Sequence, residues 1–106
     1  MQYTFRAQFF KVLAHPLRIQ ILDALRAGSI SVGELRDRLG VEQSTLSQQL
    51  AILRARDFVR AQRQGTTVRY EIQDPGIWRL LDSAREIFDN QLINVKTVLE
   101  DLRREA

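Results

Sequence analysis

Three features of the chain predict a mainly α (α+β) domain of winged helix-turn-helix type. Two short helical patterns meet at a glycine turn within residues 32–56, and a β-rich hairpin follows at 58–72. A long helix with near-heptad apolar spacing closes the sequence. With two further helices in front, the predicted order is α-α-α-α-β-β-α.

The first helix is predicted over residues 2–13, where Tyr3, Phe5, Phe9, Phe10 and Leu13 give a broad apolar face. His15-Pro16 interrupts it, because proline disfavours helix at the residue before it and suits the first helical position. The second helix runs from Pro16 to about Ala27, with Leu17, Ile21, Leu22 and Leu25 inward and Gly28 placed to end it. Ser31 and Glu34 then have the spacing of a capping box, so a third helix spans 32–39 and stops at Gly40. Gly40-Val41-Glu42 turns the chain into a fourth helix over 43–56.

Two β-rich runs, 58–63 and 66–72, flank a tip at Gln64-Gly65. The second run alternates Val68, Tyr70 and Ile72 with Thr67, Arg69 and Glu71, the period of a half-buried strand. A hairpin directly after a helix-turn-helix is the wing. Asp74 and Pro75 supply an N-cap and a first-turn proline for the last helix.

Composition narrows the function. The 106 residues suit one domain over 1–106, and 44% hydrophobic with 27% charged residues excludes a disordered chain. No apolar run approaches the roughly 18 residues a membrane span needs. The N-terminus lacks a signal-peptide pattern, so a cytoplasmic protein without membrane association is expected. The chain has no cysteine and one histidine. Disulfide scaffolds, thiolate metal sites and cysteine nucleophiles are therefore excluded, and no nucleophile–base–orienter set is visible. Neither an enzyme nor a cofactor is expected.

The net charge is +3. Residues 43–73 carry Arg54, Arg56, Arg60, Arg63 and Arg69 against Asp57 and Glu71, so the whole excess lies in the central third. Locally concentrated arginine is what phosphates reward. In the fourth helix Leu46, Leu50 and Leu53 face inward, Ser44 and Gln48 project opposite, and Thr45 and Ser47 lie on the flanks. A solvated helix face usually carries Glu and Lys, whereas residues 43–53 carry no charge. Gln43, Ser44, Thr45, Ser47, Gln48 and Gln49 are therefore the expected DNA-facing set, with glutamine able to pair with adenine in the major groove. In the wing, Arg63, Gln64, Gly65, Thr66, Thr67 and Arg69 form the tip and shoulders. Arg63 and Arg69 are placed to track phosphates or enter the minor groove; the alternative is that they only discourage edge pairing. Arg54, Arg56 and Arg60 add long-range field, unless Arg54 or Arg56 pairs with Asp57.

In the last helix Ile77, Leu81, Ala84, Phe88, Leu92, Val95, Leu99 and Leu102 make a near-heptad seam, widened by Leu80, Ile87 and Val98. A helix of roughly 45 Å is longer than the rest of the chain can cover. Its seam predicts a partner, most simply the same helix of a second copy, against the alternative of folding back as intramolecular core.

Residues 13–22, 44–53 and 63–70 resemble the ArsR/SmtB family of bacterial transcriptional repressors, and the similarity extends over about residues 5–103. The resemblance implies dimerisation through the first and last helices (residues 1–14 and 75–104), with Phe5, Phe9, Ile77, Leu81, Phe88, Leu92, Val95 and Leu99 at the interface. It also implies binding to a palindromic operator in duplex DNA and, in many members, release by a metal or other inducer. Gln49 departs from the histidine of many relatives, which bears on operator sequence. The family's thiolate run falls on Ser31-Val32-Gly33, and the last helix has no histidine. Asp82, Glu86 and Asp89 offer hard-oxygen ligands across a dimer, or else a salt-bridged face with Arg79 and Arg85. His15 is read as a helix-entry residue, and Arg18 as either a phosphate contact or a brace between helices. The expectation is a homodimeric repressor on an inverted repeat, with no metal site and an unidentified inducer. The alternative is a winged-helix protein-contact module without specific DNA binding.

Overall fold

A computed structural model describes residues 2–105. The helices are α1 (Gln2–Leu13), α2 (Pro16–Ala24), α3 (Val32–Leu39), α4 (Gln43–Ala55) and α5 (Gly76–Glu105). The strands are β1 (Ile30–Ser31), β2 (Val59–Gln64) and β3 (Thr67–Ile72). The chain divides into two compact units, one up to Pro75 and one from Gly76 onward. No helix among the described residues is long and apolar enough to cross a membrane.

The core of the first unit is aliphatic. Ile21, Leu22, Leu25, Leu35, Leu46, Leu50, Leu53 and Val59 are fully buried, drawn from α2 and the turn after it, α3, α4 and β2. Each such side chain contributes about 1.5–3 kcal/mol by leaving water, so the three helices of the centre are held mainly by this shared contact.

Local chemistry sets the element ends. His15 adopts an extended backbone and its Nδ1 accepts the Leu17 N–H at 3.2 Å, capping α2 ahead of Pro16. The predicted helix-entry role of His15 is therefore what the structure shows. α2 is shorter than the expected span to Ala27: Leu25–Ala27 tightens into a 3-10 turn, closed by the Gly28 N–H donating to the Leu25 carbonyl at 3.1 Å. Ser31 Oγ accepts the Glu34 N–H at 3.2 Å and starts α3. Gly40 ends α3 at φ +65°, where its N–H donates to the Arg36 carbonyl at 2.8 Å. That left-handed residue makes the turn into α4 possible without steric cost.

Two features differ from the sequence reading. The hairpin is not two-stranded: β1 pairs antiparallel with β3, with Ile30 opposite Tyr70 and Ser31 opposite Arg69. The sheet order is β1-β3-β2. A two-residue strand is too short to show an alternation, which is why only its neighbours were readable. The β2–β3 register also puts Gln64 opposite Thr67, so the turn is Gly65-Thr66, one residue later than expected. Gly65 at φ +64° suits the first central position of a type II′ hairpin turn.

α4 ends at Ala55 in a Schellman motif. The Phe58 N–H donates to the Leu53 carbonyl at 2.9 Å and the Asp57 N–H to the Arg54 carbonyl at 3.1 Å, with Leu53 and Phe58 both buried beneath. Asp57 takes the left-handed position at φ +61° that glycine usually fills, and it forms no ion pair with Arg54 or Arg56. In α5, Phe88, Leu92, Val95, Leu99 and Leu102 are exposed, as are Ile87, Val98 and Ile93, the last unmentioned by the seam. Leu81 is half-buried. Ile77 is a correction: it is 7% exposed, so it belongs to the interior and not to an exposed seam. Asp57→Gly is expected to raise stability by about 0.5–1 kcal/mol by removing the left-handed strain, read as a higher urea midpoint at unchanged slope.

Candidate nucleic-acid interface

Sealing Leu46, Leu50 and Leu53 on one side of α4 turns Ser44, Thr45, Ser47 and Gln48 outward, all exposed. These four predicted residues thus share one uncharged surface. Gln43 is also exposed, and its Oε1 accepts from Arg36 Nη1 at 2.7 Å. Arg36, which sequence reasoning did not single out, also contacts Asp37 and so ties α3 to the first turn of α4. Its charge and spacing gave no signal, since the two helices meet only through the Gly40 turn.

Gln49 is placed differently from the expectation. Its side chain is half-buried and its Oε1 accepts from Arg18 Nε at 2.8 Å, while Arg18 Nη1 donates to the Val12 carbonyl at 3.1 Å. One arginine therefore links the end of α1, the start of α2 and the middle of α4. Of the two roles left open for Arg18, the structure shows the brace. Gln49 sits on the side of α4 that faces α2, one residue round from the outward set.

In the wing, Arg63, Gln64, Gly65, Thr66 and Thr67 are all exposed at or beside the tip. The Arg63 guanidinium has no side-chain partner among the described residues. Arg69 does not stand free as expected. Its Nη2 donates to the Ser29 carbonyl at 2.7 Å, its Nε to Ser29 Oγ at 3.1 Å, and its Nη1 lies 3.7 Å from the Glu34 carboxylate. It fastens β3 to the loop before β1 and to α3, a use invisible in sequence because Ser29 and Arg69 lie far apart in the chain. Arg60 is likewise committed, 2.6 Å from Glu71 directly across the β2–β3 pair. Arg54 and Arg56 remain exposed.

These elements converge on one open cleft of about 450 Å³, lined by Ser31, Val32 and Gly33 at the start of α3, Gln43 and Ser47 of α4, and Thr66, Thr67 and Val68 of the wing. The outward face of α4 and the wing tip thus border the same concavity, which has no Asp or Glu in its lining. Among the described residues no three His, Asp or Glu side chains come together as metal ligands.

Comparison with known proteins bears directly on this surface. A helix-turn-helix domain family matches residues 13–62, the stretch that ends within β2. The chain is 47% identical over 102 residues to the HTH-type transcriptional regulator Rv0081 of Mycobacterium tuberculosis, covering 95% of this chain and 90% of that protein. The crystal structure of Rv0081 superposes with a TM-score of 0.80 over 88% of this chain and 94% of that one, at 45% identity. The chain belongs to the ArsR/SmtB family. The family likeness extends to the transcriptional repressor BigR of Xylella fastidiosa, with a TM-score of 0.75 at 33% identity over 82% of this chain and 89% of that structure. It extends also to the biofilm growth-associated repressor of Agrobacterium fabrum, 38% identical over 77% of this chain and 70% of that protein. As an ArsR/SmtB member the chain is a DNA-binding transcriptional regulator with a winged-helix fold.

The brace on α4 is testable. Gln49→Ala strips Arg18 of its side-chain acceptor in a half-buried setting and is expected to cost about 1–2 kcal/mol of stability, measured by urea unfolding.

Proposed function

We propose that the chain acts as a homodimeric repressor that reads an inverted-repeat operator and covers the promoter containing it. The observation that carries this reading is the shared cleft: an uncharged, exposed recognition face meets a wing tip whose Arg63 has no side-chain partner among the described residues. Ser44, Thr45, Ser47 and Gln48 enter the major groove, where amide and hydroxyl groups meet base edges and phosphates. Arg63 follows the backbone beside the groove, and Gly65-Thr66 lets the tip approach closely.

Dimerisation is supported by the apolar surface on the two terminal helices. From Ile87 to Leu102, α5 exposes eight large apolar side chains, each between 44% and 59% accessible. α1 exposes Tyr3, Phe5 and Phe10, whereas Phe9 has its ring stacked on Phe58 of the same chain at 5.0 Å and is only partly free. Apolar surface so extensive calls for a partner, and a second copy supplies a matching seam by two-fold symmetry. Two recognition helices then lie about 34 Å apart, one turn of duplex. The protein works in the cytoplasm, where its operator is, with no catalytic step and no cofactor of its own. Without the family's cysteine and histidine ligands, its release does not run through thiolate or imidazole metal sensing.

Gln48→Ala is expected to lose about 1–3 kcal/mol on the selected site and to relax base preference, whereas Arg63→Ala weakens all sequences alike and lowers the salt slope by about one unit. Gel-shift titrations at several salt concentrations separate the two; unchanged affinity in both variants would remove the assignment. Leu92→Asp with Leu99→Asp is expected to shift the mass measured by light scattering from dimer to monomer, and a wild-type monomer at micromolar concentration would contradict the dimer.

A further inference from the structure

Away from the recognition face, a second concavity gathers positive charge. A recess of about 230 Å³ is lined by Gln8, Lys11 and Val12 of α1, Arg18 of α2, and Ile52 and Arg56 at the end of α4. Three cations and one amide share it with two apolar side chains, and no Asp or Glu contributes to the lining.

The positions of Lys11 and Arg56 have a local explanation. Each stands at the C-terminal end of its helix, where the helix dipole favours positive charge. Arg18 has no such explanation. It is the third residue of α2, at the positive end of that dipole, and it is half-buried. Its two hydrogen-bond acceptors, the Gln49 amide oxygen and the Val12 carbonyl, are both neutral. A half-buried guanidinium that meets only neutral oxygens lacks the counter-charge that usually accompanies burial.

From this we infer that the recess binds a small oxyanion, a phosphate or the phosphate group of a small metabolite. Arg18 forms the floor of the site, and Lys11 and Arg56 close over the anion. Guanidinium and ammonium donors give charge-assisted hydrogen bonds to such oxygens, and Gln8 adds a neutral donor. The volume falls below the roughly 300–1,000 Å³ of typical organic-ligand sites, which restricts the occupant to a compact anion. Arg56 lies about 12–18 Å along the helix axis from Gln48 and Ser44, so that end of the recess is apart from the outward face of α4. The anion would hold the same guanidinium that anchors Gln49, and Ile52 of α4 lines the recess as well, so the site borders that helix directly.

Calorimetric titration of the full chain with inorganic phosphate, in low salt and a non-phosphate buffer, tests this. The expected result is saturable binding at one site per chain, weakened at least fivefold by Lys11→Gln and by Arg56→Gln and unchanged by Arg63→Gln. Lys11 and Arg56 are both exposed, so two independent variants guard against a folding defect in either. Non-saturable heat, or equal weakening by Arg63→Gln, overturns the site as a diffuse anion atmosphere. So does the absence of phosphate binding; if Lys11→Gln and Arg56→Gln then weaken duplex DNA as much as Arg63→Gln does, the recess is a DNA-backbone contact instead.

Discussion

Leu46, Leu50 and Leu53 are sealed from solvent along one side of α4, and that burial decides what the rest of the helix can do. With three leucines held in the aliphatic core, the helix cannot rotate about its axis without exposing them. The outward direction of Ser44, Thr45, Ser47 and Gln48 follows from the same burial. The exposed polar face of α4 is thus a by-product of how the core is filled.

The positive charge is less available than its distribution along the chain suggests. Arg60 is spent on Glu71 and Arg69 on Ser29 and Glu34, both inside the sheet and its surroundings. Of the five arginines in residues 43–73, those left open are Arg63 at the wing tip and Arg54 and Arg56 at the far end of α4. One tip and one helix end carry the field, and they mark two different surfaces.

What the sequence revealed was local in origin. The His15 cap, the Ser31 cap, the Gly40 stop and the leucine stripe each depend on residues within one or two turns, so spacing alone places them. The outward face of α4 was readable for the same reason. Hidden from view were interactions that join distant segments. Gln49 looked like its neighbours until Arg18 took its oxygen, and Arg69 looked like Arg63 until Ser29 claimed it. β1 is too short to announce itself, and the strained Asp57 at φ +61° carries none of the glycine that usually betrays such a position. Ile77 fits the heptad spacing but is taken into the interior, because a periodic pattern records which side is apolar and not what covers it.

Ser31 belongs to two structures at once: it is the last residue of β1, opposite Arg69 in the sheet, and the residue whose hydroxyl caps α3. A tilt of the hairpin base would pull on the same residue that begins the helix-turn-helix, so the two are coupled through one side chain and one backbone rung. Substitutions at the wing tip, past the last rung of the ladder, or on the exposed side of α4 leave this joint untouched, whereas one at Ser31 loosens sheet and helix together.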